Sequence, residues 1–425
     1  MAKDRVIVGI DIGSSKICTI ISTIDEDQIP HIIGVSSMPS KGIRKGQIID
    51  IEESVGAVTK SIEAAERMAG FSAGSAFVLI GGTHIECQNS KGVVAISSSS
   101  SEVDHADINR VIEAARAVSL PSSREVLHVI PRHFSIDSQT GIKDPVGMTG
   151  VRLEVETHLI TGATTAIRNL GKCVQTVGVG VESMVFSGLA AAEAVLSDTE
   201  KELGVVVVDI GGGTTDVVIY VDGAVAYSAV LPVGAKNITN DIAIGQRISL
   251  ESAEKIKLHL SKPSVLKFLK PQSEKPTHKK DDYLDLSSLR LDEPVEKASF
   301  KMLTDGFIKP RVNEILKMVK DEIKKSGFGS LTPAGVVLTG GGAQTIGIVE
   351  HAKRELAMPV RLGKPQYAKG LIDEISTPEF AASLGLILFA LKTDTYEDSR
   401  MPIVGRVEIK ESVTKAVNWV KSLLP

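Results

Sequence analysis

The chain is poor in cysteine, in aromatic residues and in long apolar runs. Its 425 residues include one tryptophan, 4% aromatic residues and three cysteines, Cys18, Cys87 and Cys173. The cysteines are odd in number and far apart, which argues against a disulfide framework, a CxxC redox pair and a cysteine-ligated metal site. The longest apolar run, about 381–391, is too short to span a bilayer. We therefore expect reduced cysteines that pack inside a cytoplasmic protein.

A large excess of charge is also missing. The net charge is -4, and the sequence has no large basic block. Binding to a nucleic-acid backbone normally needs clustered Lys and Arg, so we expect no nucleic-acid partner. The stretch MAKDRVIVGID places charges directly before a strand-like run and does not resemble a secretory signal. A content of 43% hydrophobic residues predicts a globular protein with two or more domains.

The sequence does contain a repeated glycine-rich bend. VGIDIGSS around Asp11 returns as VVDIGGGTT around Asp209, and in both the aspartate ends one β-branched run while the glycines open another. Each is predicted to be a β-hairpin with a tight bend. A third glycine cluster, VVLTGGGAQ, follows a strand-like run at 336–339. Strand runs that alternate with helical patterns, in two similar halves, predict an α/β fold built by duplication.

These bends have the composition of a phosphate-binding site. Glycines let backbone N–H groups approach a phosphate chain without obstruction by Cβ, and Ser and Thr hydroxyls add donors. Carboxylates at the strand ends suit hydrated Mg²⁺, and Asp11 and Asp209 are the predicted contacts to the metal through water. A simple turn is the alternative for either bend alone. The residues predicted to grip the phosphates are Asp11, Gly13, Ser14, Ser15 and Lys16 from the first bend, and Asp209, Gly211, Gly212, Gly213, Thr214 and Thr215 from the second.

Two helices are clear from their periodicity. One spans Glu53 to Ala69; the other begins at Pro378, with Thr377 as N-cap, and continues to Leu391 as a body apolar enough to be buried. The polar segments 262–294 and 392–408 are predicted to contain an exposed loop and a linker, respectively. The face of the first helix predicted to be apolar comprises Val55, Val58, Ile62, Ala65 and Met68.

The motifs DIGSSK, DIGGGTTD and VVLTGGGAQ resemble the phosphate-1, phosphate-2 and adenosine motifs of the actin, sugar-kinase and heat-shock-chaperone ATPase superfamily. Within it, the stretches 125–162 and 185–220 resemble the bacterial cell-division family FtsA. The resemblance implies an actin-like ATPase fold, with two duplicated halves around a nucleotide cleft and an extra subdomain inserted in the first half. The implied divisions are 1–85 with 162–198 (subdomain 1A), 86–161 (1C, inserted), 199–232 with 300–391 (2A), 233–299 (2B), a linker at 392–410 and an amphipathic membrane-targeting helix at 411–425.

The resemblance also implies roles for single residues. Glu254 and Lys257, which share a helical face, would contact the ribose and adenine, with a plain surface ion pair as the alternative. The adenine would stack on the backbone of Gly340, Gly341 and Gly342. Glu182, near the start of the implied first connecting helix, is the nominated catalytic residue, and capping of that helix is the alternative. Hydrolysis is expected to be slow, because no clear catalytic base stands out.

The last residues, KESVTKAVNWVKSLLP, form an amphipathic helical pattern with an apolar arc of roughly 160°. Flanking lysines and a tryptophan near the edge of the arc are typical of an anchor at a membrane surface. A terminal helix docked on its own domain is the alternative. The residues predicted to contact the membrane are Val413, Ala416, Val417, Trp419, Val420, Leu423 and Leu424, with Lys415 and Lys421 beside them.

The implied function is that of an ATP- and Mg²⁺-binding protein that forms filaments on the anionic cytoplasmic surface of the membrane at the division site. There it would tether filaments of the tubulin-like protein FtsZ and contact later division proteins. Arg290, Lys301 and Arg311 are plausible contacts for an acidic FtsZ peptide, and the charged clusters 104–116 and 124–133 suit partner contacts or a solvated face. Two alternatives stay open: an actin-like protein of type IV pilus assembly, and a small-molecule kinase with Asp216 as the catalytic aspartate over an acceptor hydroxyl.

Overall fold

The structure is a computed structural model that describes residues 5–25, 27–98, 100–262, 282–371, 373 and 375–398. Its helices are α1 (Ile51–Ala69), α2 (His105–Arg116), α3 (Thr164–Thr176), α4 (Ser187–Val195), α5 (Asp198–Leu203), α6 (Ala235–Gln246), α7 (Leu250–Leu260), α8 (Lys309–Ser326), α9 (Ile348–Leu356) and α10 (Ala381–Asp398). Its strands are β1 (Arg5–Ile12), β2 (Lys16–Ile24), β3 (Pro30–Pro39), β4 (Ile43–Arg44), β5 (Gln47–Ile48), β6 (Ser75–Ile80), β7 (Glu86–Ala95), β8 (Arg124–Ile136), β9 (Gln139–Ile142), β10 (Arg152–Ala163), β11 (Gly180–Phe186), β12 (Val205–Ile210), β13 (Thr215–Val221), β14 (Ala224–Leu231), β15 (Tyr283–Asp285), β16 (Lys297–Ser299), β17 (Val336–Thr339), β18 (Val360–Leu362) and β19 (Lys369–Gly370).

Two sheets with the same topology form the centre of the molecule. The first has the order β3-β2-β1-β6-β11, with β19 on its edge, and the second has the order β14-β13-β12-β17-β18. In each sheet, an antiparallel meander of three strands continues into two parallel strands. The predicted α/β fold with duplicated halves is therefore confirmed, and the hairpins β1–β2 and β12–β13 are equivalent.

The central strands are buried on both faces because helices cover both. Every residue of β12 and β13 is buried, as expected for the β-branched runs in these segments. Between the halves, α10 crosses α4 so closely that a Cβ atom on Gly385 would overlap the carbonyl oxygen of Ala190. The two helices thus pack backbone to backbone, which holds the halves together at the base of the hairpins.

An inserted subdomain follows β6. It consists of the antiparallel sheet β7-β10-β8-β9 with α2 packed on one face, and its own core includes Ile108, Val111 and Leu153. The helix begins at a capping box, because the Asp104 side chain accepts a hydrogen bond from the Asp107 backbone N–H and the Asp107 side chain accepts one from Asp104 N–H. This sheet lies in the segment predicted as the insertion.

The inserted subdomain also contacts the second half. The Asn89 side chain of β7 donates a hydrogen bond to the Ala226 carbonyl of β14 over 3.3 Å. The His158 ring of β10 lies between Asn89 Oδ1, at 2.7 Å, and Ser228 Oγ, at 2.9 Å. The insertion therefore packs against both halves of the molecule rather than projecting from the first.

Several boundaries differ from the prediction. The first helix begins at Ile51, because the Asp50 side chain caps it by accepting from Glu53 N–H at 3.0 Å. Met68, predicted on the apolar face, is 49% exposed, and its sulfur accepts a hydrogen bond from the Val35 N–H of β3 over 3.4 Å. The buried face also contains small residues such as Ser61, whose hydroxyl bonds with Thr19 and Ser36 and draws the helix close to the sheet.

The last helix differs from its prediction at both ends. Pro378–Phe380 forms a 3-10 turn, and the Thr377 side chain makes no capping bond, because Phe380 N–H already bonds to the Thr377 carbonyl. The helix then continues to Asp398, so the predicted start of the linker at 392 is wrong. Polar composition alone does not end a helix, and the first proline beyond Leu391 is Pro402.

Parts of other predictions lie outside the described residues. These are the rest of the linker, 399–410, the whole tail, 411–425, and residues 263–281 of the predicted loop. The described end of that loop is not irregular: Tyr283–Asp285 pairs with Lys297–Ser299, and Leu286 is buried. No helix in the described part of the chain is long and apolar enough to cross a membrane.

Candidate functional site

The two hairpin bends face each other across a cavity of about 480 Å³, which we call the cleft. Residues of both halves line it. The predicted nucleotide residues that line it are Asp11, Gly13, Ser14, Ser15, Lys16, Asp209, Gly211, Gly212, Gly213, Thr214, Glu254, Lys257, Gly340, Gly341 and Gly342. Thr215 is the exception: it is buried and its hydroxyl donates to the Val233 carbonyl over 2.9 Å, so its side chain points away from the cleft.

The two bends have equivalent backbone turns. Gly13 N–H donates to the Lys16 carbonyl over 3.0 Å, and Gly211 N–H donates to the Thr214 carbonyl over 2.9 Å. The bends approach each other so closely that a Cβ atom on Gly213 would lie 2.8 Å from Ser14 Oγ. Glycine is therefore required at 213 by the space between the halves, and without a Cβ there the backbone of the bend stays accessible to a ligand.

Three aspartates project into the cleft. Asp209 and Asp216 are direct partners across the β12–β13 hairpin, so their side chains share a face, and Asp11 comes from the other half. The Ser383 hydroxyl donates to Asp11 Oδ2 over 2.7 Å, and the Ser187 hydroxyl donates to Asp216 Oδ2. The other Asp216 oxygen is buried and has no hydrogen-bond partner within the described ranges.

Burial and mutual repulsion raise the pKa values of this group. Burial raises the pKa of Asp11, which Lys16 and Ser383 partly offset. Burial, then the charges of Asp216 and Asp11, raise the pKa of Asp209 well above its usual range. Burial raises the pKa of Asp216 to about 7, with Ser187 lowering it and Asp11 raising it. Such a group is suited to a cation.

The geometry fits a cation that keeps its water shell better than one that side chains coordinate directly. Across the described residues, no three or more His, Cys, Asp or Glu side chains are placed to hold a metal ion directly. Mg²⁺ keeps several waters and usually takes one or two protein carboxylates together with substrate phosphates. The unpartnered Asp216 oxygen is an acceptor suited to a water in that shell.

Two predicted lysines lie in the cleft in different settings. Lys16 Nζ lies 3.3 Å from the centroid of the Phe380 ring and, in the described structure, has no hydrogen-bond partner. Lys257 is 7% exposed and donates to Glu254 Oε2, over 2.7 Å, and to Thr239 Oγ1, over 2.9 Å. Burial lowers the pKa of Lys257, and Glu254 opposes that effect. The alternative of a plain surface ion pair is therefore wrong.

Sequence reasoning missed a third lysine. Lys236, in the first turn of α6, reaches across the cleft and donates from Nζ to the Ser14 carbonyl over 2.7 Å. Ser187 and Glu379 also line the cleft and were not predicted. The available signal was topological. Ser187 follows β11, a parallel neighbour of β6, and side chains after parallel strands converge at one edge of a sheet.

The third glycine cluster closes one side of the cleft. Gly340 follows β17 with φ of 83°, a left-handed conformation that favours glycine, and a Cβ atom there would overlap the Asp209 carboxylate. Its N–H donates to the Pro378 carbonyl over 3.0 Å. The predicted adenine seat thus presents bare backbone beside the aspartates.

The structure removes Glu182 from the site. This residue lies on β11 rather than on a helix, and its exposed side chain bonds with Ser75. Ser75 opens β6, whereas the cleft is lined by Gly81, beyond the other end of that strand. The catalytic and capping roles considered for Glu182 are both wrong, because its segment is a strand that places it at the far end of the sheet.

The other charged residues singled out from the sequence mostly pair within the protein. Arg311 bonds with Asp241 over 2.7 and 2.9 Å, whereas Arg290 and Lys301 are exposed. In the cluster 124–133, Arg124 bonds with Glu86, His84 and Thr161, and Arg132 pairs with Glu156. These bonds hold the inserted subdomain together.

Comparison with known proteins places these features in a family. One family model, described as the SHS2 domain inserted in FTSA, matches residues 82–161, and a second, described as cell division protein FtsA, matches residues 206–385. The chain is 39% identical over 388 residues to cell division protein FtsA of Pseudomonas aeruginosa, covering 91% of this chain and 90% of that protein.

Solved structures show the same fold at low sequence identity. One, titled PilM-PilN type IV pilus biogenesis complex, aligns with a TM-score of 0.62 and 16% identity over 91% of this chain and 98% of the other. Another, MreB 5 of Spiroplasma citri bound to AMPPNP, aligns with a TM-score of 0.52 and 13% identity over 93% of this chain and 99% of the other. At these identities the likeness shows the fold alone.

Proposed function

The chain belongs to the FtsA family of cell division proteins, and from that premise we propose that it is an ATP-binding, self-assembling membrane tether for FtsZ. The observation that carries the nucleotide part is the cleft. It places two phosphate-type bends, three aspartates and a glycine seat around one cavity. The membrane part is carried by the sequence of 411–425, which lies outside the described residues.

In this proposal the two bends hold the phosphates of ATP from opposite sides. The backbone N–H groups of 14–15 and 212–214 would donate to phosphate oxygens, and Lys257 with Glu254 would lie at the nucleoside end. Asp11 and Asp209 would hold Mg²⁺ through water, which neutralises phosphate charge when bound. The fold-level likeness to an actin-like protein bound to AMPPNP supports ATP as the ligand.

We propose that ATP acts mainly as a structural ligand between the halves. The halves meet at the bends through the Lys236 hydrogen bond to Ser14 and through the close approach of Gly213. Bound phosphates would accept hydrogen bonds from both halves and so order the cleft. Glu182 lies outside the cleft, and it was the one carboxylate that the family resemblance nominated as a catalytic residue. Slow hydrolysis therefore remains the prediction.

The tail is proposed to bind the cytoplasmic membrane surface weakly and reversibly. Each large apolar side chain that inserts contributes about 1.5–3 kcal/mol at most, and ordering the helix offsets part of that gain. One short anchor is therefore comparable to one lipid chain, with an association constant near 10⁴ M⁻¹. Several tails on one filament bind together by avidity, so self-assembly converts weak tails into firm attachment at the division site.

FtsZ is the proposed partner that the filament carries, and later division proteins are further partners. Exposed Arg290 and Lys301 are the proposed contacts for an acidic FtsZ peptide. Arg311 is less available, because Asp241 and Glu314 already engage it. Of the two alternatives, the pilus protein rests on a fold-level likeness at 16% identity, against 39% for FtsA of Pseudomonas aeruginosa.

The kinase alternative needs a catalytic aspartate free to take a proton from an acceptor hydroxyl. One Asp216 oxygen accepts a hydrogen bond from Ser187, and the side chain lies opposite Asp209 across the hairpin, an arrangement of two carboxylates that suits a hydrated cation. Transfer of phosphate from ATP to a sugar or polyol would support the kinase instead.

The proposal is tested by ATP binding and vesicle sedimentation on the same preparations. We expect Mg²⁺-dependent binding of ATP by the full chain, and sedimentation with anionic vesicles that rises with ATP and protein concentration. A chain ending at Lys410 should bind ATP equally and lose the vesicles. Vesicle binding that survives removal of 411–425, or full-length protein that binds no ATP, would contradict the respective half of the proposal.

A further inference from the structure

A second cavity, of about 400 Å³, lies outside the cleft, where the inserted subdomain meets the second half. We call it the junction pocket. Its apolar wall comes from both sides: Ile130, Pro131, Phe134 and Pro145 belong to the insertion, and Ala224 lies at the start of β14. The volume falls in the range of ligand-binding cavities. Nothing in the proposed nucleotide or FtsZ contacts uses this pocket.

Among the charged side chains around the pocket, those without an ion-pair partner in the described structure are acidic. The basic side chains that line the pocket are engaged: Lys143 pairs with Glu202 over 2.7 Å, Lys201 pairs with Glu193 over 2.8 Å, and Arg132 pairs with Glu156. Asp198 and Asp222 are exposed and form no ion pair among the described side chains. An occupant with an apolar face and flanking basic groups would therefore match both the wall and the rim.

The last described helix, α10, contacts a residue next to this pocket. Lys392 of α10 pairs with Glu193, whose other oxygen holds Lys201 of the rim. The Glu193 carboxylate thus connects α10 to a residue that lines the pocket. The helix continues only six more residues, about 9 Å, to Asp398, where the described part ends. Residues 399–412 would span about 20 Å as a flexible coil, or about 45 Å if extended, so the tail reaches the pocket easily.

We propose that the apolar face of the tail docks in the junction pocket when no membrane is present, with Trp419 as the anchor. Lys415 and Lys421 would then lie near Asp198 and Asp222. A tethered segment has an effective concentration in the millimolar range, so even a weak contact is populated. This deepens the proposed function, on which it rests: membrane and pocket compete for one face, and the pocket keeps single molecules in solution until several tails act together.

The single tryptophan makes the proposal directly measurable, since all tryptophan fluorescence of the full chain comes from Trp419. Without vesicles we expect blue-shifted emission and poor quenching by acrylamide, both independent of protein concentration. Ala224→Arg should restore red-shifted, fully quenchable emission, because it fills the pocket and repels the tail lysines. Val93→Arg is the matched control: it adds the same charge at an exposed position of the inserted subdomain, outside the pocket.

Vesicle binding gives the second readout. Ala224→Arg should bind anionic vesicles roughly threefold to tenfold more tightly than wild type, because the fraction of free tails limits apparent affinity. Val93→Arg should bind like wild type. Circular dichroism and ATP binding confirm that both variants are folded.

Three results would overturn the inference. The first is a Trp419 that acrylamide already quenches fully in the wild type, the second is shielding of Trp419 that survives Ala224→Arg, and the third is shielding that is lost when the protein is diluted. The second places the tail elsewhere, and the third makes the contact one between two copies. Failure of the proposed function is separate, because it would appear as absent vesicle binding in every variant whatever the shielding of Trp419.

Discussion

Replacing Asp216 by Asn should stabilise the empty protein while weakening its binding of Mg²⁺ and ATP. The wild-type carboxyl is buried beside Asp209, and its pKa is raised to about 7 from 3.8. Between those pH values the unfolded chain carries the charge and the folded chain does not, so folding takes up a proton and stability falls as pH rises from about 4 to 7. Asn stays neutral at every pH and escapes this cost.

The size of the gain follows from the pKa. At about 1.4 kcal/mol for each tenfold change in proton affinity, Asp216→Asn should add up to about 4 kcal/mol at pH 8, about 2 kcal/mol at pH 5 and nothing at pH 3. These are upper limits, because the cleft opens to water. Asn can still accept the hydrogen bond from Ser187, so little is lost in exchange.

Urea unfolding in EDTA, followed by circular dichroism at pH 5 and pH 8, measures the difference. Asp321→Asn, at an exposed carboxylate of α8, is the control and should change stability little at either pH. In the same variant we expect Mg²⁺-dependent ATP affinity to fall by roughly tenfold or more. A loss of stability in Asp216→Asn that is equal at both pH values would refute the view that burial in the cleft raises the pKa of Asp216.

Three further predictions concern other parts of the molecule. Gly385→Ala should destabilise the fold by about 3 kcal/mol or more, since its Cβ has no room between α10 and α4, whereas Gly56→Ala, with open space around it, should be neutral or stabilising by up to about 1 kcal/mol in urea unfolding. Lys236→Gln should weaken ATP binding roughly tenfold in titration calorimetry by removing a cation that bridges the cleft at Ser14. Burial lowers the pKa of His128 to about 4, so stability should fall by up to about 3 kcal/mol as pH drops from 6.5 to 4, and His128→Gln should flatten that dependence by about one proton.

The hairpins and their glycines could be predicted because their signal is local. A β-branched run, an aspartate and a glycine bend specify strand, carboxylate and turn within about ten residues, and the repeat of that pattern implied the second half. The structure then gave both halves the same strand order. The glycines make room for residues of the opposite half, as Gly213 does for Ser14. Which residues these are depends on how the two halves pack together, and no local sequence pattern specifies that.

The misses have the opposite character. Lys236 joins the cleft only because α6 follows β14 back toward the first half, and Ser187 only because β11 is parallel to β6. Glu182 was misplaced because a helical pattern beginning at 187 was extended backward into a strand. The helix that continues to Asp398 shows the same limit. The apolar pattern stops at the polar residues after Leu391, but the helical backbone continues through them.

Delivery of FtsZ to a membrane is the property that most directly tests the proposed role. Purified FtsZ, this protein and anionic vesicles are sedimented together with Mg²⁺ and ATP, alongside a chain ending at Lys410 and the Asp216→Asn variant. We predict that FtsZ sediments with the vesicles only in the presence of the full-length protein, and less with Asp216→Asn. FtsZ recovered equally with the shortened chain, or left in solution by full-length protein that is itself on the vesicles, would contradict the tether.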